Sequence, residues 1–262
     1  MIDNTLRMGL LGYPVAHSQS PTLFAQLGER HGVITHYTLF ERAEVTDMRT
    51  ELQRLFTDHS LDGLNVTAPY KERVAEVMTT LSPRAASVRA VNLVTRSGDG
   101  FHGDNTDLVG CRVMLTDTGS LISVRAQPDA PNQDVRPMVV LGAGGAARVI
   151  LQTLREMGCP AYVHNRTEDT GRHVATEYGA TYLSADELAT IRISFSLFSA
   201  LPASAPLPVL PRANLRACYD VAYIDSPLKC LADECRLPYY DGYMWLAAQA
   251  RENFALLTGR KG

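Results

Sequence analysis

A lysine and an aspartate sit in two short polar stretches, Asn65-Val66-Thr67-Ala68-Pro69-Tyr70-Lys71 and Gly103-Asp104-Asn105-Thr106-Asp107. Both lie ahead of a glycine-rich turn, Gly142-Ala143-Gly144-Gly145-Ala146-Ala147. The turn alone implies only that a phosphate binds. A Lys/Asp pair upstream implies what the nucleotide is for: proton transfer beside hydride transfer on a small oxygenated substrate. Reducing a ketone by hydride creates an alkoxide, which a cation and a proton donor stabilise. Lys71 and Asp107 are therefore the candidate catalytic residues, and an enzyme is the leading expectation.

Gly142, Gly144 and Ala147 fit the pattern G-x-G-x-x-[GA]. The first glycine permits the tight turn, the second lets the backbone approach a pyrophosphate, and the small alanine allows close helix–strand packing. The turn falls between an apolar strand and a helix, so an anion would meet free N–H groups at a helix N-terminus. Gly142, Ala143, Gly144, Gly145 and Ala146 are the candidate cofactor-binding residues. The next strand ends in His164-Asn165-Arg166-Thr167. No acidic residue stands where a free ribose 2′-hydroxyl would be read. Arg166, flanked by Asn165 and Thr167, offers a planar cation for a 2′-phosphate, favouring NADP over NAD. Glu168 and Asp169 follow and could weaken that preference, so NAD stays open; a solvated loop arginine is the other reading.

These groups need elements to hold them. A strand over 7–12 leads into a helix for which Ser20 is the expected N-cap and Pro21 the first helical residue. Leu23, Phe24 and Leu27 keep helical spacing until Gly28 or Gly32. Strand character returns over 36–40, 63–66 and 90–96, with helical periods over 45–56 and 72–80. The stretch 120–137, rich in Pro, Asp, Asn and Gln, reads as an exposed loop. Beyond it come a strand over 138–141, a helix over 146–157, strands over 161–164, 191–201 (with a loop) and 217–222, and a last helix over 244–257. Alternation of this kind predicts an α/β protein with mostly parallel sheets.

The chain has 262 residues, enough for two domains, with 45% hydrophobic and 20% charged residues. A net charge of −3 argues against a nucleic-acid partner. Cys111, Cys159, Cys218, Cys230 and Cys235 show no metal-ligand spacing, so no metal is expected and the thiols read as reduced. No basic start followed by an apolar core, and no apolar run near the roughly 20 residues of a bilayer span, is visible. The expectation is a soluble cytoplasmic protein with a small-molecule substrate and no membrane partner. Its oligomeric state, monomer or homodimer, stays open.

Together these motifs resemble the shikimate dehydrogenase family over nearly the whole chain. The residues that carry the resemblance are Gly12-Tyr13-Pro14 with His17-Ser18-Gln19-Ser20-Pro21, the Asn65 to Lys71 stretch, Ala90-Val91-Asn92, Gly103-Asp104-Asn105-Thr106-Asp107, the glycine turn, Asn165-Arg166-Thr167, Tyr223, Asp241-Gly242 and Gln249. The resemblance implies an N-terminal α/β substrate domain, 1–107, to which the C-terminal helices of 240–262 return. A Rossmann-type NADP domain over 108–239 lies between, with an active cleft at the junction. By position, Ser18 and Ser20 would hold the shikimate carboxylate. Thr67, Asn92 and Gln249 would contact ring hydroxyls or the carboxylate, and Tyr223 would line the cleft. Ala200 and Gly242 join the cofactor-binding set.

The pattern is broken at Phe24-Ala25, Arg89, Leu93, Leu201, Trp245 and Ala250, and Tyr223-Ile224-Asp225 lacks the usual proline. Most of these changes are expected around the nicotinamide or the cleft wall. The leading expectation is an NADP-dependent enzyme interconverting 3-dehydroshikimate and shikimate. The alternatives are a related enzyme acting on quinate or another shikimate analogue, and a non-catalytic nucleotide- or metabolite-binding protein.

Overall fold

The computed structural model describes residues 4–117 and 137–260, so all but the last residue of the loop expected over 120–137 lies outside the described residues. The chain is α/β and divides into two compact units. One is discontinuous, Met1–Val109 with Leu246–Gly262; the other is the continuous stretch Gly110–Trp245.

The discontinuous unit opens with strand β1 (Thr5–Gly12), helix α1 (Ser20–His31), β2 (Ile34–Glu41), α2 (Met48–Asp58), β3 (Gly63–Val66) and α3 (Lys71–Glu76). It continues with β4 (Thr80–Leu81), α4 (Pro83–Val88), β5 (Leu93–Ser97) and β6 (Gly100–Asp104). The six strands form one sheet in the order β2-β1-β3-β5-β6-β4. β1 runs parallel to β2 and β3, whereas β5 is antiparallel to both β3 and β6. The β5–β6 hairpin was not evident in the sequence; its turn uses Gly98 at φ +58°, a conformation that suits glycine. Leu52, Leu55, Phe56, Leu64, Val94 and Phe101 pack on one side of this sheet. On the other, Met8, Leu23, Phe24 and Leu27 pack with Ala250 and Phe254 of the last helix.

Three expectations for this unit change. Ser20 is not a side-chain cap: the helix already includes it, and Gln19 holds the cap position with helical backbone and no side-chain cap bond. The Ser20 hydroxyl instead bonds Tyr37. The helix expected over 72–80 ends at Glu76, because the Thr79 N–H is drawn to the Phe101 carbonyl at 2.9 Å and the chain joins β6. The strand expected over 90–96 starts only at Leu93, after Arg89 adopts a left-handed φ of 50° at the end of α4.

Helix α5 (Asp107–Asp117) leads into the second unit. There β7 (Met138–Leu141), α6 (Gly145–Glu156), β8 (Ala161–His164), α7 (Glu168–Tyr178), β9 (Thr181–Tyr182), α8 (Ala185–Thr190) and β10 (Phe195–Ser199) follow. β11 (Leu215–Asp220), α9 (Pro227–Cys235), β12 (Tyr239–Tyr240) and α10 (Tyr243–Thr258) complete the chain. The six strands among the described residues of this unit are all parallel, in the order β12-β11-β10-β7-β8-β9. β7 is buried throughout, as a continuous apolar run in a parallel sheet requires. Chain order reverses between β7 and β10, which makes their carboxyl ends the switch point of a Rossmann-type sheet, where ligands bind in such folds. No helix among the described residues is long and apolar enough to cross a membrane.

Candidate active site

The strand–turn–helix step from β3 to α3 places Lys71 at the first helical position, and the end of β6 places Asp107 at the start of α5. The two meet: Lys71 Nζ lies 2.8 Å from Asp107 Oδ2. The lysine side chain is 25% exposed and the aspartate 6%. The carboxylate is thus the buried anchor, and the ammonium is the member that can reach a ligand. Asp107 is itself held, its N–H bonding Asn105 Oδ1 at 3.1 Å, while Asn105 Nδ2 bonds the Ala90 carbonyl at 2.9 Å.

Asn92 precedes β5 and is 3% exposed. Its Oδ1 accepts the Thr106 N–H at 2.8 Å, and a backbone N–H can only donate, so the orientation of the amide is fixed. Its Nδ2 then donates to Gln249 Oε1 on α10 at 2.9 Å. The Gln249 carbonyl is occupied in turn, so both amides offer N–H donors to a ligand. Thr106, fully buried, donates its hydroxyl to Asn253 Oδ1 at 2.7 Å. Asn65 reaches the Asn92 carbonyl at 3.1 Å and accepts from Tyr37 at 2.9 Å, and Tyr37 also bonds Ser20. Ser18 is half-buried and its Oγ accepts the Ser20 N–H at 3.3 Å; Thr67 is likewise half-buried.

Below this network Arg84 grips Asp104 with two N–H groups, at 2.8 and 2.7 Å, and reaches Glu252 of α10 at 2.9 Å. Burial alone would raise the Asp104 carboxyl. The Arg84 guanidinium and the Ser82 hydroxyl more than reverse this and hold it below the ordinary carboxylate value.

In the second unit Gly142 adopts φ +103°, and its N–H bonds the His164 carbonyl at 2.8 Å. Gly144 is the N-cap of α6 without a side-chain cap bond, so the first N–H groups of that helix are left to an anion. A Cβ on Gly144 would meet nothing within 4 Å. Open space beside uncapped N–H groups fits a pyrophosphate. Ala143 is buried, Gly145 and Ala146 are half-buried, and Ala147 is fully buried against the sheet. Ala200 follows β10 at the switch point, its N–H on the Leu141 carbonyl at 2.9 Å. Asn165 Nδ2 bonds the Thr167 carbonyl at 2.9 Å; Arg166 and Thr167 are exposed before α7.

The model of the shikimate dehydrogenase substrate binding domain matches residues 10–94. The chain is 32% identical to the shikimate dehydrogenase (NADP(+)) of Xanthomonas euvesicatoria pv. vesicatoria, covering 97% of this chain and 90% of that protein. The chain belongs to the shikimate dehydrogenase family. The same enzyme from Thermotoga maritima is also 32% identical, over 96% of this chain and 93% of that one. Among solved structures, shikimate 5-dehydrogenase from Thermus thermophilus in complex with NADP(H) and shikimate is similar with a TM-score of 0.82. It is 29% identical, covering 98% of this chain and 94% of that one.

As a member of the shikimate dehydrogenase family, the chain brings Lys71, Asp107, Asn92 and Gln249 into one connected network within the first unit. Tyr223 lies in the second unit, between β11 and α9. Its segment is tied down by Asp220, which is 1% exposed and accepts the Ala222 N–H at 3.0 Å and the Ser226 hydroxyl at 2.5 Å. Gly242 donates its N–H to the Ala222 carbonyl at 2.9 Å. Two departures expected to face the cleft are core residues instead. Trp245 is 7% exposed and edge-on to Phe198, and Ala250 packs with Phe24 and Phe254. The supports Thr106, Asn253 and Asp220 were missed. For Asn253 a signal existed, since it follows Gln249 by one helical turn and repeats a polar residue on the same face.

Proposed function

We propose that the chain is an NADP-dependent shikimate dehydrogenase, reversibly reducing 3-dehydroshikimate to shikimate. The observation that carries this reading is the 2.8 Å Lys71–Asp107 pair. It stands beside a donor-lined polar network in a chain that also holds an uncapped dinucleotide turn. The similarity to the Thermus thermophilus enzyme solved with NADP(H) and shikimate supports it.

The residues divide the work. Ser18 and Ser20 bind the substrate carboxylate, Thr67, Asn92 and Gln249 contact ring hydroxyls or the carboxylate, and Tyr223 lines the cleft near the carboxylate. NADP, when bound, supplies or accepts the hydride. Lys71 donates to the oxygen on which charge develops, lowering the energy of the alkoxide, and Asp107 holds the ammonium in place. In the reverse direction the hydroxyl proton passes to this pair, whose members already share a hydrogen bond. Gly142, Ala143, Gly144, Gly145, Ala146, Ala200 and Gly242 line the dinucleotide path, and Asn165, Arg166 and Thr167 receive the 2′-phosphate. Substrate binding falls to the discontinuous unit, expected over 1–107 with 240–262, and NADP binding to the continuous one, expected over 108–239, although residues 240–245, with the end of β12, belong to the continuous unit. The five cysteines are free thiols, which supports work in the reducing cytoplasm.

A turnover matrix tests the reading: shikimate and quinate, each with NADP and NAD, followed by nicotinamide absorbance. The expected result is the highest kcat/KM for shikimate with NADP. A faster reaction with quinate would reassign the substrate, and no absorbance change with any pair would refute the enzyme.

A further inference from the structure

A recess of about 720 Å³ lies in the second unit, between the segment 207–212 and helix α9. None of the residues assigned to the substrate or the dinucleotide lines it. Its wall follows from the sequence of that segment. Leu207 and Leu210 turn onto the core cluster that also holds Leu228 and Leu231 of α9, while Val209 between them is 76% exposed. Pro206, Pro208 and Pro211 restrict the backbone of the stretch. The apolar wall is therefore preformed, and little ordering is left for binding to require. Small-molecule sites are recesses of roughly 300–1,000 Å³, mostly apolar with a few polar groups, and this one fits that description.

Charge narrows the class of ligand. Three charged side chains line the recess: Arg212, Asp225 and Glu234. Arg212 Nη1 lies 2.7 Å from Glu234 Oε2, so these two cancel. Asp225 makes no hydrogen bond or ion pair among the described residues. Lys229, on which its charge acts, is committed to Asp233 at 2.9 Å. The start of α9 does not tilt the balance toward an anion. Pro227 has no N–H, and Ser226 Oγ takes the Lys229 N–H at 3.4 Å. The Ser226 hydroxyl proton is itself spent on Asp220, at 2.5 Å. The lining thus sets a net negative charge beside an apolar wall, which an organic cation with an apolar body complements on both counts.

We propose that this recess is a further ligand site of the chain, taking a small organic ammonium carried on an aliphatic or aromatic body. The ammonium pairs with Asp225, and the body covers Leu207, Val209 and Leu231. Neither the substrate nor the dinucleotide takes part, so the site stands apart from the dehydrogenase reading.

Cys230 supplies the readout, since its thiol lines the recess and is exposed, whereas Cys111, Cys159 and Cys218 are buried. The full chain is treated with N-ethylmaleimide at neutral pH, and modification of Cys230 is followed by peptide mass spectrometry. Phenethylamine, 2-phenylethanol or 3-phenylpropanoate is present; the three share a phenyl body and differ in charge. The expected result is saturable protection of Cys230, by the amine at the lowest concentration, then the alcohol, then the acid. Asp225→Asn should weaken the amine about three- to fivefold, the scale of an exposed ion pair, and leave the alcohol within about twofold. Val209→Arg, a change at an exposed position, sets a like charge in the recess. It should remove protection by the amine without changing the melting temperature. No protection by the amine, equal protection by all three compounds, strongest protection by the acid, or an Asp225→Asn variant that binds the amine as before would overturn the proposal.

Discussion

Asn92 Nδ2 donates to Gln249 Oε1 at 2.9 Å, joining two residues 157 positions apart in the chain. The Thr106 N–H fixes the Asn92 amide, so the direction of this bond is set by the backbone. With one lone pair of Gln249 Oε1 taken by Asn92, the two Nε2 N–H donors are the groups it turns to a ligand. Gln249→Glu keeps the acceptor for Asn92 but removes the donors and adds a negative charge. The expected outcome is a shikimate KM raised roughly ten- to a hundredfold, the range for a lost hydrogen bond that leaves a polar partner unsatisfied. Initial rates at varied shikimate would check it, and an unchanged KM would place Gln249 outside the binding surface.

Lys71→Ala removes the exposed member of the pair and leaves the Asp107 carboxylate buried. Turnover is expected to fall by about 10²–10⁴, the usual weight of a positioned acid–base group. Shikimate binding, measured by calorimetry, should change much less. Equal losses in turnover and binding would make Lys71 a binding residue only.

Asp104 carries a pH dependence of defined sign. Its folded-state pKa lies below the ordinary 3.8, so the stability it adds is full above that value and is lost as pH falls through the folded-state value. Asp104→Asn should therefore be destabilised relative to the unaltered protein at about pH 7, and the gap should narrow toward about pH 3. Urea midpoints at the two pH values decide. A gap that widens on acidification would show that Arg84 does not act through the carboxylate charge.

Asp220 should behave in the opposite sense. Burial pushes its carboxyl up, and the bonds from Ser226 and Ala222 offset this only in part. The ionised form is thus disfavoured in the fold, and stability falls as pH rises from the ordinary value through the raised one. Asp220→Asn, which cannot ionise, should gain stability relative to the unaltered protein over that rise. The same urea series measures it; a parallel pH dependence for the two proteins would contradict the assignment.

Gly242 has no room for a side chain, since a Cβ would lie 2.1 Å from the Val221 carbonyl oxygen. Gly242→Ala must displace the 221–223 backbone that carries Tyr223. A stability loss of about 1–3 kcal/mol is expected, with a raised shikimate KM. Thermal melting and initial rates check both, and an unperturbed melt would mean that the segment yields freely.

The nucleotide unit was the more legible in the sequence. Short apolar strands such as 138–141 and 161–164 are bounded by turn residues, and four apolar residues between turns are too few for a helix but enough for a strand buried on both faces. The first unit was harder. Glu72 to Glu76 and Thr80-Leu81 form one plausible helical period, yet the pull of the Phe101 carbonyl on the Thr79 N–H breaks it, and such a long-range bond leaves no local trace. Gln249 was implied by the family resemblance, and Lys71, Asp107 and Asn92 were readable as polar groups that a purely structural strand and loop would not need. Their supports were not: Thr106 and Asp220 look like ordinary turn or strand-end residues until their partners are known. Most departures from the family pattern were expected around the nicotinamide or the cleft wall, yet Trp245 and Ala250 are buried in cores, and burial of this kind has no local signature.

The first unit is split along the chain, and Gln249, Asn253 and Glu252 all arrive on its last helix. During synthesis the second unit, being continuous, has its whole sequence available before that helix exists. Asn92, Thr106 and Arg84 meet their partners only once that later helix has been made. The network around Asn92 is therefore completed only after most of the second unit has been made, and a nascent chain holds the glycine turn well before that network closes.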